Sequence, residues 1–204
     1  MVGSFSQFIS PYVDSQHIAQ WCESLWLKYP FDFKISKDRK SKLGDYRFQR
    51  LNNKSLHTIT INETLNKHQF LITFLHELAH RVVMEKYGRN VKPHGKEWKS
   101  IYAVFLQDSI EKGFYPSLLT DVISKFMLNP KASAGADKEL FIALKQFDQD
   151  QKGVLLSTLG IGQSFLFRGK PFRKLEVKRT RSVCENIENK KRYYIPDIAL
   201  VKPI

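Results

Sequence analysis

The segment His76-Glu77-Leu78-Ala79-His80 constrains this chain more than any other. Residues 67–87 around it read as one long helix. Asn66 stands where a helix N-cap belongs, Gln69 stands three residues on, and Gly88 follows the last apolar position. Residues four apart lie one turn apart on the same helix face, so two imidazoles at 76 and 80 can converge on one cation. Glu77 is next in sequence to the first of them. It can flank such a cation without binding it and act as a general base. The helix is apolar on nearly all sides, through Phe70, Leu71, Ile72, Phe74, Leu75, Leu78, Ala79, Val82, Val83 and Met84, which predicts that it is buried. Two imidazoles and a carboxylate buried without partners would cost several kcal/mol. A chance H-E-x-x-H arises in roughly one chain of this size per few hundred. A metal gives the three groups a reason to be there.

A catalytic zinc takes a third protein ligand and keeps one position open. The candidates downstream are His94, Glu97 and Asp108. His94 follows Pro93 in a loop at the mouth of the next helix, and Trp98 can pack against its ring; loop freedom favours it, together with the resemblance given below. Glu97 also suits the first turn of that helix as a dipole-stabilising acid.

The rest of the chain reads as α+β. A helix over 15–28 precedes three strand-like stretches at 31–36, 43–49 and 56–62, expected to form a small antiparallel sheet on the 67–87 helix. Further helices are expected at 95–112, at 117–128 with Ser117 as its cap, and at 137–148. Residues 129–136 (NPKASAGA) are the best linker candidate, which divides the chain into 1–130 and 131–204. From 164 onward the pattern is β-like, with turns at 168–171 and 188–191.

Charge adds a second theme. The chain of 204 residues carries 33 Lys and Arg against 20 Asp and Glu, a formal +13. Residues 34–54 hold eight basic and two acidic residues, and residues 160–192 hold ten and three, which accounts for the whole excess. Aromatics are interleaved with them: Tyr46, Phe48, Phe165, Phe167, Phe172, Tyr193 and Tyr194. Basic strands with aromatics can hold phosphates and stack unpaired bases. No sequence-reading motif is visible, so such binding is expected to be backbone-led. The residues singled out for it are Lys40, Lys42, Arg47, Arg173, Lys174, Lys178, Arg179, Arg181, Lys191 and Arg192. Two distant cysteines, Cys22 and Cys184, exclude a disulfide framework and fit a reducing cytoplasm. No apolar run of about 18 residues and no secretory leader pattern is present, so no membrane partner is expected.

HELAH followed by PHGKEW resembles the SprT-like zinc metallopeptidases, the Spartan-related family. LGDYRF and the TITIN stretch with Leu65 resemble that family's small sheet before the active-site helix. The resemblance covers about residues 10–113 well and continues more loosely through 137–148 and into CENIENKKRYYI. It implies a zincin-like catalytic domain with His76, His80 and His94 as ligands of one catalytic Zn²⁺ and Glu77 as catalytic base. It also implies peptide-bond hydrolysis, with single-stranded or damaged DNA as a partner and DNA-bound or DNA-crosslinked proteins as substrates. Many members end in a four-cysteine zinc ribbon. This tail holds Cys184 alone, so no second, structural zinc is expected. Two other readings compete: a peptidase acting without DNA on an acidic protein partner, and a zinc-fold binding or regulatory protein.

Overall fold

The computed structural model describes residues 4–39, 42–52, 54–132, 134–148 and 153–204. The chain divides into two compact units, at 148/149. The first opens with helix α1 (Phe5–Ile9), closed by a capping box between Ser4 and Gln7 that the sequence reading does not contain. Phe5 stacks on Trp26 at 5.3 Å and meets Phe31 and Phe33 edge-on, so a one-turn helix is fixed by aromatic packing rather than by propensity. Helix α2 (Gln16–Lys28) follows, and then strands β1 (Asp32–Ser36), β2 (Gly44–Leu51) and β3 (Lys54–Asn62).

The sheet order is β1-β3-β2. β2 pairs antiparallel with β3, but β1 pairs parallel with it, so the sheet is mixed rather than antiparallel. Alternation in sequence tells which residues share a face; it carries no information on strand direction. With β3 in the centre, β2 has a free edge. Asn62, fully buried at the end of β3, ties down the segment that leads into β2. Its Oδ1 accepts from Arg39 Nε at 2.8 Å and from Ser36 Oγ at 3.1 Å, and its Nδ2 donates to the Lys42 carbonyl at 2.9 Å.

Helix α3 (Lys67–Tyr87) packs against β2 and β3 and against α4 (Lys96–Glu111). Asn66 caps it by accepting from the Gln69 N–H at 2.9 Å, and Gly88, at φ 64, ends it. Leu71, Ile72, Phe74, Leu75 and Leu78 are 2% exposed or less. Each such side chain contributes about 1.5–3 kcal/mol. The polar groups this burial takes in are satisfied: Arg81 donates to the Pro30 carbonyl and to Glu85, and Thr73 to the Gln69 carbonyl. Helix α5 (Ser117–Met127) starts from Pro116 with no side-chain cap, so Ser117 is its first residue and not its cap. Helix α6 (Lys138–Lys145) buries Leu140 and Leu144 in the same core. The first unit therefore runs through Asp148, beyond the boundary at 130 that the linker composition suggests.

Within the second unit, strands β4 (Val154–Leu155), β5 (Ser164–Phe167), β6 (Lys170–Lys178), β7 (Arg181–Asn186), β8 (Arg192–Pro196) and β9 (Leu200–Pro203) form one antiparallel sheet. Its order is β4-β9-β5-β6-β7-β8. Arg168 and Gly169, at φ 53 and 77, make the two-residue turn between β5 and β6. Leu156, Phe165, Phe172, Cys184, Ile195 and Val201 form its core. Lys174 is 2% exposed, and its Nζ donates to the Leu156 and Leu159 carbonyls at 2.9 and 2.7 Å. It is an internal tie of this unit, which corrects its assignment to a nucleic-acid surface. Among the described residues no helix is long and apolar enough to cross a membrane.

Candidate metal centre and its cleft

His76 and His80 project from the same face of α3, one turn apart. His94 reaches them from the loop between α3 and α4, where the Gly95 N–H closes a turn onto the Lys92 carbonyl. The three Nε2 atoms lie 3.2 Å (76 to 80), 3.0 Å (80 to 94) and 3.3 Å (76 to 94) from one another. Bonds of about 2.0–2.1 Å at tetrahedral angles put nitrogens about 3.3 Å apart. Hydrogen bonding cannot account for the cluster. Each Nε2 either carries a proton or presents a lone pair, so at least two of the three are alike and face each other unfavourably. A cation at the centre of three lone pairs removes that conflict, and the three histidines can hold one. Burial, reinforced by its two neighbouring histidines, pushes the His76 pKa down to about 2. Burial and then His94 push His80 down to about 4, so both rings are neutral donors at neutral pH.

Trp98, fully buried on α4, fixes all three rings. Its centroid lies 4.7 Å from those of His76 and His94 and 5.4 Å from that of His80, and its Nε1 donates to the His76 carbonyl at 3.3 Å. The sequence suggests a contact with His94 alone. Tyr102, one turn further along α4, meets the His76 ring at 5.5 Å and donates to the Ile72 carbonyl. Of the other candidate ligands, Asp108 accepts from Trp21 Nε1 and pairs with Lys112, and Glu97 pairs with Lys96; neither belongs to the histidine cluster.

Glu77 is 6% exposed and sits against β2. A Cβ added at Gly44 would meet its Oε1 at 2.6 Å, its Cγ at 2.8 Å and the Thr73 methyl at 2.7 Å. Only glycine permits this approach of strand to helix. Burial first, and then the Asp45 carboxylate, raise the Glu77 pKa to about 8. Arg39, Lys42 and a hydrogen bond from the Tyr46 backbone N–H work against that rise. Tyr46 lies parallel to His80, with centroids 6.4 Å apart, and its hydroxyl bonds His57 Nδ1 at 2.7 Å. Gly44 and Tyr46 are site residues that composition and motif do not reveal. A lone glycine inside a strand pattern is the one available signal.

The histidines, Glu77, Gly44, Tyr46 and Phe48 line an open cleft of about 640 Å³ along the free edge of β2. Lys42 also lines it. Lys42 and Arg47 both pair with Asp45, at 2.7 and 2.6 Å, so neither is a free cation. Lys40 lies outside the described residues. In the second unit Arg173, Lys178, Arg179, Arg181, Lys191 and Arg192 are exposed, with Lys178 3.6 Å from Glu176. Strand register sets Arg173, Glu185 and Arg192 side by side, and exposed Tyr194 shares their face two residues along β8.

A family model described as the SprT-like family matches residues 16–111. No curated protein and no solved structure matches the chain. The matched segment contains His76, Glu77, His80, His94, Gly44 and Trp98, and over that segment the chain matches the SprT-like family.

Proposed function

We propose that this chain is a zinc-dependent endopeptidase. The observation that carries the reading is the convergence of three imidazole Nε2 atoms within 3.3 Å, beside a buried carboxylate, in a cleft open along a free strand edge. His76, His80 and His94 would hold the ion. When bound, zinc supplies Lewis acidity that polarises a carbonyl and makes a water acidic enough to attack near neutral pH. Glu77, kept ionised by the charge of a bound cation against the rise that burial causes, would take a water proton at a carboxylate oxygen and deliver it to the leaving amine. Gly44 and the Tyr46 N–H hold the Glu77 carboxylate on the strand side of the cleft. A substrate segment lies extended along β2 and is held by main-chain hydrogen bonds. β3 is closed to this role, because it is paired on both sides.

Association with DNA belongs to the same proposal. Arg173, Arg181, Arg192 and Tyr194 support it, as an exposed basic face with a stacking group on the second unit. Substrates held on DNA, as the family resemblance implies, would then be concentrated on the enzyme. The test is casein degradation by the zinc-loaded full chain, with and without a single-stranded oligonucleotide. Cleavage that stops on chelation and quickens with DNA is the expected result. Absence of any zinc-dependent cleavage overturns the peptidase reading, and cleavage indifferent to DNA removes the DNA part alone.

A further inference from the structure

A second hollow of about 640 Å³ adjoins the metal cleft and shares Phe48, Met84, Gly88 and Arg89 with it. Positions 44, 46, 48 and 50 (Gly44, Tyr46, Phe48 and Arg50) fall on one face of β2, because alternate residues of a strand do so. Their contacts step along α3 and past its end. Gly44 meets Glu77, Tyr46 lies over His80, and the ring of Phe48 carries the Arg89 guanidinium at 5.3 Å from its centroid. The groove therefore has a fixed direction, from the catalytic carboxylate at one end to a pair of arginines at the other.

The charge at that far end is not balanced. Arg81 and Glu85 both line the hollow, but they pair with each other at 2.6 Å and cancel. Arg50 and Arg89 have no carboxylate within ion-pair distance among the described residues. Burial, with Arg81 next to it, lowers the pKa of His57, which adds no charge of its own. Two uncompensated guanidiniums thus share one hollow, one of them held in place on an aromatic face. Such a pair matches the two oxygens of one carboxylate.

We propose that this hollow is a specificity subsite for an acidic side chain of the peptide substrate. The inference rests on the peptidase reading. A chain extended along β2 advances about 3.3 Å per residue, which brings a side chain about two to four residues from the scissile bond over Phe48 and Arg50. A nucleic-acid backbone is the less fitting occupant. It presents a long row of phosphates and calls for a matching row of cations, whereas the hollow offers two and opens into the peptide cleft.

The experiment measures binding rather than turnover. Fluorescein-labelled twelve-residue peptides carrying Glu, Gln or Lys at those positions are titrated by anisotropy into the metal-free full chain and into its Arg50→Gln/Arg89→Gln variant. Both arginines are at the surface, and circular dichroism checks that the variant is folded. The Glu peptide is expected to bind about 10-fold more tightly than the Gln peptide and more tightly still than the Lys peptide. The double variant should lose that preference while keeping its affinity for the Gln peptide, and Arg50→Glu should turn it toward Lys. Equal binding of the three peptides overturns the subsite and leaves the peptidase reading standing. Loss of oligonucleotide affinity in the double variant, without loss of peptide preference, assigns the hollow to phosphate and overturns it too. If no peptide binds and casein is not cleaved, both inferences fall together.

Discussion

Gly44→Ala tests how the strand and the helix jointly place Glu77, the proposed catalytic base. The added methyl would lie 2.6 Å from Glu77 Oε1, 2.8 Å from Glu77 Cγ and 2.7 Å from the Thr73 methyl, against an ordinary contact of 3.4–4 Å. Rotating the carboxylate relieves only the first of these. The Cγ and Thr73 contacts require strand and helix to part by roughly 0.7 Å or more, taking the shortfall from ordinary contact. Overpacking of this kind costs about 1–3 kcal/mol of stability. A misplacement of about 1 Å at the reacting centre costs about 10²-fold in rate, or about 2.7 kcal/mol of barrier. The atoms nearest the methyl belong to Glu77 and Thr73 rather than to a histidine, so zinc affinity should hold. The assay is kcat/KM on a quenched peptide at saturating zinc, with Tm and zinc content measured on the same preparation. A fall near 10²-fold, with zinc retained and Tm lowered by several degrees, is expected. Activity within threefold of wild type would refute the claim that this contact positions Glu77.

The basic face and the buried lysine of the second unit separate cleanly. Arg173→Ala should reduce the slope of log K against log salt for single-stranded DNA by about 0.7 and leave Tm unchanged. Lys174→Ala should leave that slope alone but destabilise the protein by about 2–5 kcal/mol, because it strips the donor from two buried carbonyls; the reverse pattern in anisotropy and thermal melts contradicts both roles. His68 gives a pH signature. It is buried edge-on against Phe147 at 4.5 Å, and burial lowers its pKa more than Asp14 raises it. The unfolded chain therefore binds the proton more readily, so stability from this group is full above about pH 6.5 and is lost as pH falls below it. His68→Gln should flatten Tm against pH between about 7 and 5, and an unchanged slope counts against it.

The 67–87 helix is legible in the sequence because every level agrees there. Cap, apolar pattern, stop signal and metal spacing all name the same residues. His94 is legible in part: its place in a loop favours it over Glu97 and Asp108, and the family resemblance adds the rest. What stays hidden is what depends on contacts distant in sequence. The parallel pairing of β1 with β3 leaves no trace in alternation, and the approach of Gly44 to Glu77 joins residues 33 apart. Lys174 reads as one more surface cation in a basic run. A β-bulge between Lys174 and Glu176 accompanies the point where it turns inward to two carbonyls. The boundary at 148 is hidden for a similar reason. A linker-like composition at 129–136 does not reveal that Leu140 and Leu144 return to the first core.

Glu77→Gln addresses the central claim most directly. The amide keeps the shape of the side chain and its place beside Gly44 but cannot take a proton. Zinc content and casein cleavage are to be measured together on this variant and on the wild type. The account predicts one zinc per chain in both, with cleavage in the wild type alone. Cleavage retained in the variant at matched zinc content would contradict it.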